Sequence, residues 1–132
     1  MSNGPFIYTK VTKLEGKPKV GGGQCAVLVQ WYSPLVGKAA TWREGIKVKG
    51  SPSIATGTAI ATFVDGVYPN KAHGNHAGYY ITQNPSGIYI MDQFTGKSTI
   101  SMRQLKFKGK NSDGTYIDPS NNGDAFSVII HE

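Results

Sequence analysis

The segment "HAGYYITQNPSGIYIMDQF" (His76 to Phe94) constrains the fold more than any other part of this chain. Two runs rich in β-branched and aromatic residues flank "NPSG" (Asn84 to Gly87), where proline presets one backbone dihedral and glycine permits another. The segment predicts a hairpin, with strands His76 to Gln83 and Ile88 to Phe94 lying side by side, and hence an antiparallel sheet. Strand periodicity puts Ile88, Ile90 and Asp92 on one face and Tyr89, Met91 and Gln93 on the other. A carboxylate that shares a face with two isoleucines calls for a hydrogen-bonded partner. Counted outward from the turn, Asp92 pairs near Tyr79 or Tyr80, which brings it close to His76.

Other strands follow from the same patterns. "GTAIATFVDGV" (Gly57 to Val67) closes on an Asp-Gly turn, "STISMRQLKF" is strand-like, and "DAFSVIIH" (Asp124 to His131) follows a loop rich in Asn and Gly. Before them come helical patterns. In Gln24 to Tyr32 the residues Cys25, Leu28, Val29 and Tyr32 make an apolar stripe, and Ser33-Pro34 ends it. "KAATWREG" (Lys38 to Gly45) predicts a second short helix with Gly45 as its stop. Residues 1 to 23 read as a lead-in with little periodicity. Helices first and an antiparallel sheet afterwards make an α+β architecture. A length of 132 residues, with 39% hydrophobic content, suits one domain spanning 1-132 around one core.

Charge and cysteine usage narrow the function classes. The formal net charge of +6 favours an anionic partner. The densest basic segment, "RQLKFKGK" (Arg103 to Lys110), alternates lysine with apolar residues, so it reads as a half-buried strand rather than a nucleic-acid patch. No stretch approaches the ~20 apolar residues of a membrane span. The N-terminus "MSNGPFIYTKVTKLEG" has no apolar core of signal-peptide length, so cytoplasmic synthesis without a signal peptide is expected. With one cysteine no intrachain disulfide is possible.

That cysteine is Cys25 in "GGGQCAVLVQWY". A sulfur at a helix N-terminus meets unpaired backbone N–H groups and the positive end of the helix dipole, which favour the thiolate. Gly21 to Gly23 allow a sharp turn into the helix and leave room for a substrate. The same N–H groups can hold an oxyanion. A lone free cysteine is equally a small buried hydrophobe. Leu28 and Trp31 are expected to anchor the helix in the core. His76, at a strand start between Asn75 and Ala77, can be the base for a facing cysteine or a structural histidine. Asp92 can orient that imidazole or serve as a structural cross-strand carboxylate. His131, next to the C-terminus, is expected on the surface. His73 lies three residues before His76, but no third ligand at zinc spacing accompanies them; no metal and no cofactor are expected. The remaining carboxylates, among them Glu15, Asp65, Asp113 and Glu132, sit mostly in expected turns or at ends and form no acid–base pair.

Taken in chain order, "GGGQCAVLVQWY", "GTAIATFV", "GNHAGYYI" and "IYIMDQF" resemble the papain-like cell-wall amidases of the NlpC/P60 and CHAP group. The chain is also similar to the compact amidase effectors of type VI secretion systems. The resemblance covers about residues 20 to 95. It implies a papain-like fold with N-terminal helices packed on the sheet. It implies Cys25 as nucleophile, His76 as general base and then acid, and Asp92 as the orienting group, with Gln93 the fallback. It implies an oxyanion hole from the Cys25 N–H, helped by Gln24. The implied reaction is amide hydrolysis in peptidoglycan stem peptides, whose carboxylates suit a basic protein. The implied setting is export by type VI secretion to a target periplasm, with a cognate immunity protein as partner. Nucleic acid and membrane insertion have no part in it. Two rivals stand beside this reading: a non-catalytic binding module of the same fold, and a cysteine protease or transamidase acting on protein.

Overall fold

The computed structural model describes residues 3 to 69, 71 and 73 to 131; Glu132 lies outside the described residues. Among the described residues one α-helix, α1 (Cys25–Tyr32), precedes six strands: β1 (Arg43–Lys47), β2 (Ala59–Thr62), β3 (Ala77–Asn84), β4 (Gly87–Asp92), β5 (Ser101–Lys106) and β6 (Phe126–Ile130). The strands form one sheet in the order β1-β6-β2-β3-β4-β5, and every neighbouring pair is antiparallel. The expected α+β architecture, helix packed on an antiparallel sheet, is therefore observed. Among the described residues no helix is long and apolar enough to cross a membrane.

The hairpin forms on the turn expected for it. Asn84 Oδ1 accepts from the Ser86 and Gly87 N–H groups, the side-chain bond that makes Asn a turn former. Its register differs from the expectation by one position. Tyr79 faces Met91 and Tyr80 faces Ile90, so Asp92 lies beyond both tyrosines, nearer the start of β3. That extra step brings it closer to His76.

The sheet buries both faces, which explains its long apolar runs. On the helix side, Ala61, Ala77, Tyr79, Met91 and Ile129 pack with Leu28 and Val29 of α1. Tyr79 ties helix to sheet: its hydroxyl donates to Val29 O at 3.2 Å and meets Ser33 Oγ at 2.7 Å. On the opposite side Ile60, Tyr80, Ile88, Ile90, Leu105 and Phe126 form a second cluster.

Four expectations need correction. "KAATWREG" is not a helix: it is a 3-10 turn (Ala39–Thr41) running directly into β1. Trp42, buried there, donates Nε1–H to Val36 O at 3.1 Å, and β1 pairs with β6 from the far end of the chain. Tertiary pairing overrides local helix propensity. Trp31 is 57% exposed and anchors nothing, whereas Trp42 is fully buried. Trp31 lies off the Leu28–Val29 stripe that faces the sheet. The lead-in is structured, since Val11 and Leu14 of a 3-10 helix (Val11–Leu14) are buried. His131 is half-buried rather than on the surface: its ring lies 4.9 Å from that of Phe6, and its Nε2 sits 2.7 Å from Val36 O.

Candidate active site

Cys25 is the first residue of α1, with Gln24 in extended conformation before it. Two of the three preceding glycines make that approach possible. Gly21 and Gly23 have φ of +57° and +82°, which side chains with a Cβ rarely adopt. A Cβ at Gly21 would also stand 2.5 Å from Val27 Cγ1. The turn thus delivers Cys25 half-buried at the helix N-terminus, while Gln24 stays exposed and makes no side-chain cap bond.

His76 immediately precedes β3 and is 4% exposed. Thr62 at the end of β2 fixes its backbone: Thr62 Oγ1 accepts from His76 N–H at 3.0 Å, and Thr62 N–H donates to His76 O at 3.0 Å. The imidazole Nε2 lies 2.6 Å from Asp92 Oδ2. Asp92 closes β4 and is fully buried on the face of Ile88 and Ile90, as strand periodicity requires.

The sequence reading did not find the rest of the carboxylate's surroundings. Arg103 of β5 donates Nε–H to Asp92 Oδ2 at 2.8 Å, and Lys97 Nζ reaches Asp92 Oδ1 at 2.5 Å. Arg103 also donates through Nη1 to Asn121 Oδ1 at 2.8 Å and brings Nη2 to 3.4 Å from His76 Nε2. A signal for Arg103 existed. It shares strand parity with buried Leu105, so it belongs to the inward face of β5 rather than the solvated one.

Tyr68 is the other unforeseen member. Its hydroxyl lies 3.8 Å from Cys25 Sγ and accepts from Asn75 Nδ2 at 3.2 Å. Its ring packs edge-on against Trp42 at 5.0 Å between centroids. No local motif marks Tyr68, because it reaches the thiol from a loop 43 residues along the chain.

These groups open onto a cleft of about 390 Å³. Cys25, His76 and Phe94 line it together with His73, Asn75, Arg103, Asp118, Ser120 and Asn121. Cys25, His76 and Asp92 are therefore brought together, with Asp92 behind His76. His73 is an exposed member of the lining, and Gln24 is outside it.

The electrostatics follow from this packing. Burial pushes the Cys25 thiol up, but the His76 imidazole, the Tyr68 hydroxyl and the Ala77 N–H outweigh it, so the thiol lies below its ordinary range. Burial pushes His76 down, but bonding to Asp92 and to the Cys25 sulfur raises it above the ordinary histidine value. Burial also opposes ionisation of Asp92, yet His76, Arg103 and Lys97 together hold it at about 2. Tyr68 is raised by burial and by the neighbouring sulfur, so its proton stays on. Such a site favours a thiolate beside an imidazolium.

Comparison with known proteins agrees with the likeness to type VI secretion amidase effectors and widens it from about residues 20 to 95 to nearly the whole chain. The family model "Domesticated amidase effector 2" matches residues 5–129. A type VI secretion amidase effector 2 protein of Salmonella typhi is 42% identical over 132 residues, covering 95% of this chain and 98% of that one. A solved structure of a type 6 secretion amidase effector 2 superposes with a TM-score of 0.91 at 40% identity, covering 98% of this chain and 96% of the other. The expected papain-like fold holds. On the strength of a matched model across almost all its length, a relative of equal extent and a shared fold, this chain belongs to the domesticated amidase effector 2 family.

Proposed function

We propose that this protein is a peptidoglycan amidase, an antibacterial effector exported by type VI secretion, and that it hydrolyses its substrate through Cys25. The observation that carries the cysteine chemistry is Cys25 and His76 lining one cleft and interacting there, with His76 bonded to buried Asp92 and Asp92 in turn paired with Arg103 and Lys97. Asp92 occupies His76 Nε2, which leaves Nδ1 as the ring nitrogen that exchanges a proton with the thiol. The Cys25 thiolate attacks the carbonyl carbon of a stem-peptide amide. The oxyanion so formed meets the free N–H of Cys25 at the start of α1, with Gln24 beside it. The Tyr68 hydroxyl adds a third donor, because its oxygen already accepts from Asn75 and its proton is free to point toward the sulfur. His76 then protonates the leaving amine as the C–N bond breaks, leaving a thioester. Water, giving its proton to His76, breaks the C–S bond and releases the acid.

Charge supports the substrate class. The +6 chain meets stem peptides that carry carboxylates, and Arg103 and His73 line the cleft. We place the family as a branch of the NlpC/P60 and CHAP group, on the chain order of helix-borne cysteine, strand-start histidine and acid on the next strand. The whole chain, 1-132, acts as one catalytic domain. An enzyme of this kind threatens its producer's own wall, so a cognate immunity protein that covers the cleft is part of the reading.

The deciding experiment is digestion of purified peptidoglycan by the wild type and Cys25→Ala, with the fragments read by mass spectrometry. Cleavage by the wild type alone is expected. The masses identify the bond among D-Glu–diaminopimelate, the D-Ala cross-link and the sugar–peptide amide. Unchanged muropeptides with the wild type overturn the amidase reading. Cleavage by Cys25→Ala overturns the cysteine mechanism.

A further inference from the structure

We propose that Gln93 is a positioning residue that sets the nucleophile, as Asp92 sets the base. Gln93 follows Asp92, so strand geometry turns its side chain to the opposite, helix-bearing face. It is fully buried and every polar atom of its amide is engaged. Oε1 accepts from Val20 N–H at 2.9 Å; Nε2 donates to Val20 O at 3.0 Å and to Gln24 O at 2.8 Å. These partners bracket the glycine turn, so one primary amide closes both ends of the loop that delivers Cys25. Gly21 and Gly23, with left-handed backbones, leave that loop little rigidity of its own. The turn has one backbone bond of its own, Gly23 N–H to Val20 O at 3.0 Å, and Gln93 ties its two ends together.

The consequence is a single dipeptide that fixes two partners from two faces of one strand end. Asp92 holds His76 from one side, and Gln93 holds the Val20–Gln24 turn, and with it the Cys25 sulfur, from the other. The Gln24 carbonyl bonded by Gln93 belongs to the peptide whose N–H is that of Cys25, so the same contact orients the proposed oxyanion donor. A carboxamide suits this task, since it offers two donors and one acceptor without a charge beside the thiolate. Gln93 thus has a role distinct from the fallback third member of a triad.

The inference rests on the cysteine reading above, and its test separates the two. Gln93→Met keeps the packing volume and removes all three bonds; Gln93→Glu keeps the acceptor, removes both donors and adds a negative charge. Each variant is assayed for kcat and KM on a purified muropeptide. Each is also assayed for the rate of Cys25 alkylation by iodoacetamide from pH 5 to 9, with circular dichroism reporting the fold. The expected result is a kcat lower by about 10- to 100-fold with KM within about threefold. The acidic limb of the alkylation profile moves to higher pH, further in Gln93→Glu than in Gln93→Met. A folded variant with wild-type kcat and alkylation profile overturns the inference. Should neither variant fold, hydrogen exchange on the wild type decides: the Val20 N–H is expected to be protected, and exchange as fast as a free loop amide overturns the proposal. Activity in Cys25→Ala overturns the cysteine reading itself, whereas inactive Cys25→Ala beside unaffected Gln93 variants overturns this inference alone.

Discussion

At the scale of single residues, the proposed cysteine chemistry depends on two opposite pKa displacements, Cys25 downward and His76 upward. The thiolate–imidazolium pair exists in the window between them. Wild-type alkylation by iodoacetamide is therefore expected to stay fast below the ordinary thiol value of about 8.5, and to fall only as pH drops through the lowered thiol value. Asp92→Asn removes the charge that supports the imidazolium, and the acidic limb should move up by about one unit or more. An unshifted limb would show that Asp92 does not act through His76. Tyr68→Phe tests the added oxyanion donor: kcat is expected to fall by about 10- to 1000-fold with little change in KM, measured on a defined muropeptide. Equal loss in KM would instead mark Tyr68 as a binding contact. Much of this site is legible in the sequence. The phase of one hairpin is enough to put Asp92 on the isoleucine face, and that is where it lies. Arg103, Lys97 and Tyr68 are less legible because no local pattern connects them to Asp92 or Cys25; only strand pairing and loop path do so.

At the scale of elements, the hairpin and its face assignment depend on neighbours in sequence, so they are readable. β1 depends on β6, with Arg43 opposite Ile130, and the helix formers of "KAATWREG" mislead any local reading. The two tryptophans show what is at stake. Trp42→Ala is expected to cost about 3–5 kcal/mol in urea unfolding, and Trp31→Ala within about 0.5 kcal/mol. The reverse ranking would contradict the packing of α1. β3 and β4 also approach unusually closely beside the site. A Cβ at Gly78 would stand 2.8 Å from both Ile90 Cδ1 and Met91 O. Gly78→Ala is expected to destabilise by about 1–3 kcal/mol in the same assay, and a neutral result would mean the two strands can part without cost.

For the molecule as a whole, the buried cluster links folding to pH. Asp92 is held at about 2, below the ordinary carboxylate value of about 3.9. Its contribution, about 2 kcal/mol, is present above about pH 4 and is lost as pH falls through 2. His76 is displaced upward, so its contribution is full below about 6.5 and is lost as pH rises through its raised value. Urea titrations of wild type against Asp92→Asn should show a difference that shrinks between pH 4 and 2; a constant difference would disprove the linkage. The order β3-β4-β5 is a contiguous meander within Ala77–Lys106, joined by a two-residue turn and an eight-residue loop. The Gln93 bonds to Val20 and Gln24, by contrast, close chain segments 73 and 69 residues long. Contacts of such separation carry a larger closure entropy and tend to form after local ones. On the proposed cysteine reading, the activated sulfur is expected to be a late product of folding. In refolding followed by pulsed iodoacetamide, strand ellipticity should return before rapid thiol labelling does, so that a nascent or partly unfolded chain carries a cysteine of ordinary reactivity.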